Sequence, residues 1–443
     1  MPPDENPGPP PPDAAPDSIP GARTILTDRS AMAFLAAVTL TTMAALAQMT
    51  ALGFQVFEIT GRELDLGLLG LAEFLPALVL AVPAGALADR FDRRVMMSIG
   101  LGGELIASLG LAWLTRSGID GIGAILAIVL VFGAFRALAA PAVRALPVSI
   151  VAPEALPRIV PLFAGSWQIG LIVGPVVGGF LYATNPPLAY LGAAALIGTA
   201  LCCIPLVRLH ARTDTHGDDA HGADDEPTDD RPSWRQALDG LRVIRHNPIL
   251  AGTISLDLFA VLFGGAVALL PAIATDRLGV DATGLGWLRA AGGIGAALTT
   301  LALAARPLRR HIGATLLVCV ALFGVATIVL GATTSFAVAC VALFVMSAAD
   351  SISVFVRATL VPLITPDEYR GRVLAVENVF IGASNELGAF ESGVTGQLLG
   401  APLAIVVGGV ATLAVVGIWA ALFPALRRID GFPPPESATL GRD

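Results

Sequence analysis

The run Gly85-Ala-Leu-Ala-Asp89-Arg90-Phe-Asp92-Arg93-Arg94 sits between two long apolar stretches, with only a few residues in which to turn. A charged segment that short, between two runs long enough to cross a bilayer, is a membrane-surface loop. Arg90, Arg93 and Arg94 set its side, because short cationic loops stay in the cytoplasm. Every other span then takes its orientation by alternation.

Composition agrees with that reading over the whole chain. The 443 residues are 55% hydrophobic and 14% charged, with a mean hydropathy of +0.76, too apolar for a soluble protein of this length. At roughly 20 apolar residues per span, about twelve helices are predicted, near 31–57, 66–88, 93–115, 121–149, 157–183, 188–208, 249–274, 284–305, 312–331, 335–364, 371–397 and 402–424. The fold class is therefore an all-α membrane protein. No remaining segment is long enough for a soluble catalytic domain, and no nucleophile, base or metal constellation lies on a water-facing segment, so an enzyme is not expected.

Every cation is Arg, and without Lys the nucleotide-binding P-loop is missing. Transport by such a chain draws on a gradient rather than on ATP. About 21 of the 27 arginines fall on the predicted cytoplasmic side. Arg62, Arg116 and Arg277 fall outside, and Arg136, Arg289 and Arg357 at depth. That bias puts both termini on the cytoplasmic side of a cell membrane. The net charge of −8 comes largely from the N-terminal tail and the central loop, so it says nothing of nucleic acid. Cys202, Cys203, Cys319 and Cys340 all lie within spans, which suggests neither a disulfide framework nor a zinc site.

The chain divides into a disordered tail over 1–30, a six-helix bundle over 31–208, a linker with a surface helix over 209–248, a second bundle over 249–424 and a tail over 425–443. The Pro-rich, acidic start lacks the cationic lead of a signal peptide. The linker collects Asp218, Asp219, Asp224, Asp225, Glu226, Asp229 and Asp230 around His210, His216 and His221. A solvated linker explains that composition better than a loosely held metal. Between Trp234 and Arg245, apolar Leu238, Leu241 and Ile244 alternate with Arg235, Arg242 and Arg245, the pattern of a helix lying on the membrane surface. A weak internal repeat supports two parallel halves. Arg144 precedes Pro153-Glu154 by nine residues and Arg357 precedes Pro366-Asp367 by nine, an offset of 213.

The opening stretch resembles the Gly-x-Leu-x-Asp-Arg-x-Gly-Arg-Arg signature between helices 2 and 3 of the major facilitator superfamily, except that Asp92 stands where the second glycine is usual. With Pro153-Glu154 after the fourth span and Thr365-Pro-Asp-Glu-Tyr-Arg-Gly-Arg-Val373 before the eleventh, the pattern is similar to the branch of enterobactin exporters and macrolide efflux pumps, the drug:proton antiporters. The resemblance implies two six-helix pseudo-repeats and a monomeric transporter with no cofactor. It implies that Asp89, with Gly85, Arg90, Arg93 and Arg94, holds the cytoplasmic side shut against the start of the eleventh helix. Physically this is a carboxylate at a helix N-terminus, with Gly371-Arg372 supplying the helix start and Arg144 a counter-charge.

In the fifth span, Gly170-Leu-Ile-Val-Gly174-Pro175-Val-Val-Gly178-Gly179 resembles the Gly-x-x-x-Gly-Pro-x-x-Gly-Gly pattern of proton-coupled antiporters. The same glycines, four residues apart, also form a stripe that lets another helix approach closely, while Pro175 loosens the backbone. Polar residues at depth are expected to face protein or water rather than lipid, and Gln48, Arg136, Asp257, Asp350, Arg357, Glu377, Asn385 and Glu391 are the candidates for the cavity or for proton coupling. Thr41, Gln48 and Gln55 recur every seven residues in the first span; Glu73 and Glu104 lie in the second and third. Glu377, Ser384 and Glu391 recur every seven in the eleventh, flanked by Asn378, Asn385, Ser392 and Thr395. Glu386 points about 180° away from Glu377, toward a neighbouring helix.

Each ionised carboxylate at mid-membrane costs at least about 2.5 kcal/mol, so these acids need partners, water or protons. The resemblance brings Asp257, Asp350, Arg357 and Arg136 together around a central cavity, although the Gln-Gly that follows the antiporters' helix 4 Arg is absent after Arg136. The expected function is proton-driven export of a siderophore, drug or similar amphipathic molecule, one cavity carboxylate taking a proton from outside and giving it up inside. The alternatives are uptake or exchange of a sugar or metabolite, which the fifth-span motif opposes, and a non-transporting receptor, which would need a sensory domain or an uncharged cavity.

Overall fold

The computed structural model describes residues 28–118, 121–151, 155–208 and 233–433, the side chains at 81, 82, 89 and 233–238 excepted. The N-terminal tail, Pro153-Glu154, the acidic linker with His210, His216 and His221, and the side chains of Asp89, Trp234, Arg235 and Leu238 lie outside the described residues.

The first six spans are α1 (Arg29–Thr60), α2 (Glu63–Arg90), α3 (Arg93–Arg116), α4 (Ile122–Ile150), α5 (Leu156–Thr184) and α6 (Pro186–Cys203). The surface helix α7 (Ser233–His246) follows, and then α8 (Pro248–Phe263), α9 (Ala282–Ala305), α10 (Ile312–Ala332), α11 (Phe336–Ile364), α12 (Asp367–Leu399) and α13 (Ala401–Leu422). Local chemistry sets the ends. Asp28 accepts from the Ser30 amide to start α1, and Gly61, at φ 58°, turns the chain out of it. Ten helical stretches among the described residues are long and apolar enough to cross a membrane. The 28-residue α2 and the 33-residue α12 have spanning length too.

The packing of the first half recurs in the second. α1 packs on α5 and α6, α2 on α4, and α3 on α4 and α6. Likewise α8 packs on α12 and α13, α9 on α11, and α10 on α11 and α13. Between the halves the main contacts are α2 with α12 and α5 with α9, an exchange of equivalent partners. Lipid is as apolar as leucine, so helices there gain from close packing rather than from escaping water. The glycine stripe of α5 supplies this. A Cβ on Gly170 would meet Thr42, one on Gly174 the Met43 carbonyl at 2.7 Å, and one on Gly178 the Ala47 backbone.

The seventh span departs from the expected continuous helix. α8 ends at Phe263, and the chain continues through a 3-10 turn (Ala266–Leu269), a short helical piece (Leu270–Ala272) and a π turn (Ile273–Arg277). The cause is Gly264-Gly265, followed by Pro271. A Cβ on Gly265 would collide with the Gly388 backbone, and one on Gly388 would lie 2.8 Å from the Leu262 carbonyl, so the break lets α12 press against this span.

The two ends of the molecule differ. We call the end bearing Arg90, Arg93 and Arg94 the basic face. At the opposite face the halves touch backbone to backbone: Gly67 of α2 lies against Gly393 of α12, Gly179 of α5 against Ala282 of α9, and Gly286 against Pro175. At the basic face, positions that a Cβ would take on Gly85 and Gly371 have no neighbour within 4 Å.

Candidate functional site

A cavity of ≈ 740 Å³ lies between the halves, with lining from both. Its apolar wall includes Met49, Leu69, Trp167, Val267, Phe323 and Met346, and its charged and amide side chains are Glu73, Arg136, Gln168, Arg289, Asp350, Asn385 and Glu386. The glycine contacts close it off at the face opposite the basic one. Such a space, mostly apolar with a few convergent polar groups, suits a medium-sized amphipathic ligand.

Two ionic groups surround it. In the second half, Arg357 of α11 pairs with Asp257 of α8 at 2.8 Å, both nearly fully buried. Asp350, two turns along the same helix, and Glu377 of α12 lie within Coulombic reach of Arg357. Three carboxylates thus share one guanidinium, whose Nε has no hydrogen-bond partner. In the other group, Arg289 of α9 reaches across to α1, donating to Thr50 Oγ1 at 3.3 Å, and lies within Coulombic reach of Glu73. Glu104 of α3 is buried and interacts electrostatically with Arg136 and Glu73. Glu386 interacts with Glu73 across the boundary between halves.

The other expected residues fall in several places. Gln48 is buried inside the first bundle, where Ser108 donates to its Oε1 at 2.7 Å, and its Nε2 has no partner. Gln55 of the same stripe bonds Thr115 and Tyr190. The stripe therefore faces α3 and α6 rather than the cavity. Asn385 lines the cavity, whereas Glu391 accepts from Thr395 one turn on.

At the basic face, Arg93 and Arg94 bond within the first half. Arg93 donates to the Ala145 carbonyl at 3.1 Å and to Ser149, tying the loop to the end of α4. Arg94 pairs with Asp92 at 2.8 Å and reaches the Val207 carbonyl after α6. Arg144 is exposed. At the start of α12, Arg372 lies 3.7 Å from Asp239 of the surface helix, and Gly240 packs against the Arg372 carbonyl. Asp92, the departure from the superfamily signature, caps α3 by accepting from the Arg94 amide at 2.8 Å. Hydrogen bonding to the Arg94 side chain holds its carboxyl below the ordinary 3.8.

Sequence reasoning left Glu73, Arg289 and Glu386 out of the cavity set. Glu386 does pack on a neighbour, its Oε2 lying 3.3 Å from where a Gly70 Cβ would be, but that neighbour is α2 of the other half, so the same side chain faces the cavity. The available signal was the cost of any carboxylate at membrane depth, which makes each one a functional candidate wherever it points. Among the described residues no three His, Cys, Asp or Glu are grouped as a metal would require.

Comparison with known proteins follows the same lines. The model of the Major Facilitator Superfamily matches residues 30–313. The multidrug efflux pump Tap of Mycolicibacterium fortuitum is 27% identical over 399 residues, covering 85% of this chain and 91% of that one. The enterobactin exporter EntS of Escherichia coli O157:H7 is 27% identical over 387 residues, 85% and 87% of the two chains. Among solved structures, a bacterial homologue of the lysosomal transporter Spinster, inward-facing and unoccupied, superposes with a TM-score of 0.67 at 15% identity over 91% of this chain and 98% of that one. The nucleoside transporter NupG gives 0.69 at 12% identity over 89% and 98%. At those identities the structural likeness concerns the fold alone.

Proposed function

The chain belongs to the major facilitator superfamily, a family of membrane transporters rather than enzymes, and from that premise we propose that it exports an amphipathic small molecule, a drug or siderophore, in exchange for protons. The observation that carries this reading is the cavity, which combines an apolar wall with more carboxylates than arginines. With Asp257, Glu104 and Glu377 beside it, six acids face Arg136, Arg289 and Arg357. An excess of carboxylates at membrane depth is neutralised by protons, which is what an antiporter needs. The efflux activities named for the two relatives support export over uptake.

In this reading the basic face is cytoplasmic, the termini are inside, and the structure is the inward-open state of a monomer in the cell membrane. A substrate enters from the cytoplasm or inner leaflet and lies against Trp167, Phe323 and Met346. The closed face then opens, the basic face closes and the substrate leaves outward; the acids take a proton from outside and carry it inward as the protein returns. The test is purified protein in liposomes with a pH-sensitive dye, to which siderophores and cationic drugs are added in turn. Substrate-dependent proton movement, lost in Asp350→Asn or Asp257→Asn, is expected. No movement for any compound, with folded protein, would reject proton coupling.

A further inference from the structure

The acids Glu73 and Glu386 stand apart from the other cavity carboxylates because they come from opposite halves. Glu73 lies on α2 and Glu386 on α12, the pair of helices that closes one face of the molecule. Just beyond them that closure is backbone on backbone, at Gly67 and Gly393. Gly70, one turn from Glu73, leaves room for the Glu386 carboxylate against α2. On the other side both acids line the water-accessible cavity. They therefore sit at the inner margin of the closed seam, where the halves begin to diverge.

The groups facing them are few. Arg289 of α9 lies within reach of Glu73 and is anchored to α1 through Thr50. Arg136 of α4 interacts with Glu104 of α3, whose charge also acts on Glu73. Asp350 of α11 lines the same cavity and lies within Coulombic reach of Arg357. From α1, Thr50 and Gly53 add no charge. Arg289 can balance one of the two seam carboxylates, and the second is left facing the first across the boundary between halves.

We propose that Glu73 and Glu386 form a proton-binding site split between the two halves, in which one shared proton holds the seam closed and its loss drives the seam apart. With one carboxyl protonated, its O–H donates to the other carboxylate and the pair becomes an attraction between α2 and α12. With the proton released through the cavity, two like charges face each other at the seam and the open state is favoured. The inference rests on the proton-coupled export proposed above and gives that reaction its order. A proton taken up from the far side lets the seam close, and its release to the basic side permits outward opening with substrate aboard.

The test measures the seam directly. In protein with Cys202, Cys203, Cys319 and Cys340 replaced, spin labels at Arg62→Cys and Leu398→Cys, on the α2 and α12 ends of the closed face, report the distance in lipid nanodiscs from pH 5 to pH 9. A population with a longer distance is expected to grow as pH rises. Glu386→Gln is expected to abolish that growth and stay short, and Glu386→Asp, which keeps a carboxyl, to restore it. A distance independent of pH in the parent protein overturns the inference, as does unaltered pH dependence in both Glu386→Gln and Glu73→Gln. Proton counterflow measured on the same preparation separates the two readings: coupled transport with a pH-insensitive seam overturns this site alone, whereas transport without proton movement overturns both.

Discussion

Asp92 illustrates how one residue can depart from a motif and still serve the loop. A glycine there would turn the chain, but Asp92 both turns it and caps α3, and its ion pair with Arg94 holds the guanidinium toward the end of α6. Replacing a capping Asp with Ala costs about 0.5–2 kcal/mol, so Asp92→Ala is predicted to lower the thermal unfolding temperature in detergent. Because the folded carboxyl lies below its ordinary 3.8, its contribution is fully present above about pH 4 and fades as acidification takes pH through the folded value. The buried Asp257–Arg357 pair is predicted to behave differently. Removing one partner of a buried pair costs about 3–5 kcal/mol, so Arg357→Ala should unfold well below the parent protein. The double replacement Asp257→Leu/Arg357→Met should recover most of that stability but not transport.

Among the elements, α5 carries two interfaces on one short sequence. Gly170, Gly174 and Gly178 hold α1 within the first half, while Pro175 and Gly179 meet α9 of the second. The two faces predict separable effects. Overpacking a close contact costs about 1–3 kcal/mol, so Gly178→Ala, which would meet the Ala47 backbone in any state of the bundle, should lower thermal stability. Gly179→Ala would meet the Ala282 carbonyl only while the seam is closed. It should leave the bundle folded and shift the population toward the open seam by a factor of roughly 5–30 for 1–2 kcal/mol, read by reactivity of a cysteine placed beside Ala282. The stripe was legible in the sequence because its period of four is a property of one helix. That its next glycine touches the other half was not, because periodicity says which residues share a face and not which helix they meet. The same limit hid Glu386 and the partner that the break after α8 admits, since Gly388 lies more than a hundred residues away in sequence.

For the whole molecule, hydropathy and the arginine loop suffice to read twelve spans, and the packing of the second half on the pattern of the first follows from that count and the weak repeat. The conformation was not legible. The family signature predicts a contact between the Asp89 loop and the start of α12 at the basic face, while the backbone contacts at Gly67, Gly179 and Gly393 bring the halves together at the opposite face. A sequence encodes both closures at once, since Gly67, Gly179 and Gly393 serve one and Gly85, Asp89 and Gly371 are expected to serve the other. Arg372 meets Asp239 of the surface helix in this state.

The central claim, that the cavity exchanges an amphipathic substrate for protons, is tested most directly by imposing a pH gradient on the same proteoliposomes in each direction and following a transported drug. Exchange predicts that the drug moves against the proton flow in both cases, accumulating on the side from which protons leave, and that a protonophore abolishes the accumulation. Equal movement in both directions, or accumulation that survives the protonophore, would contradict it.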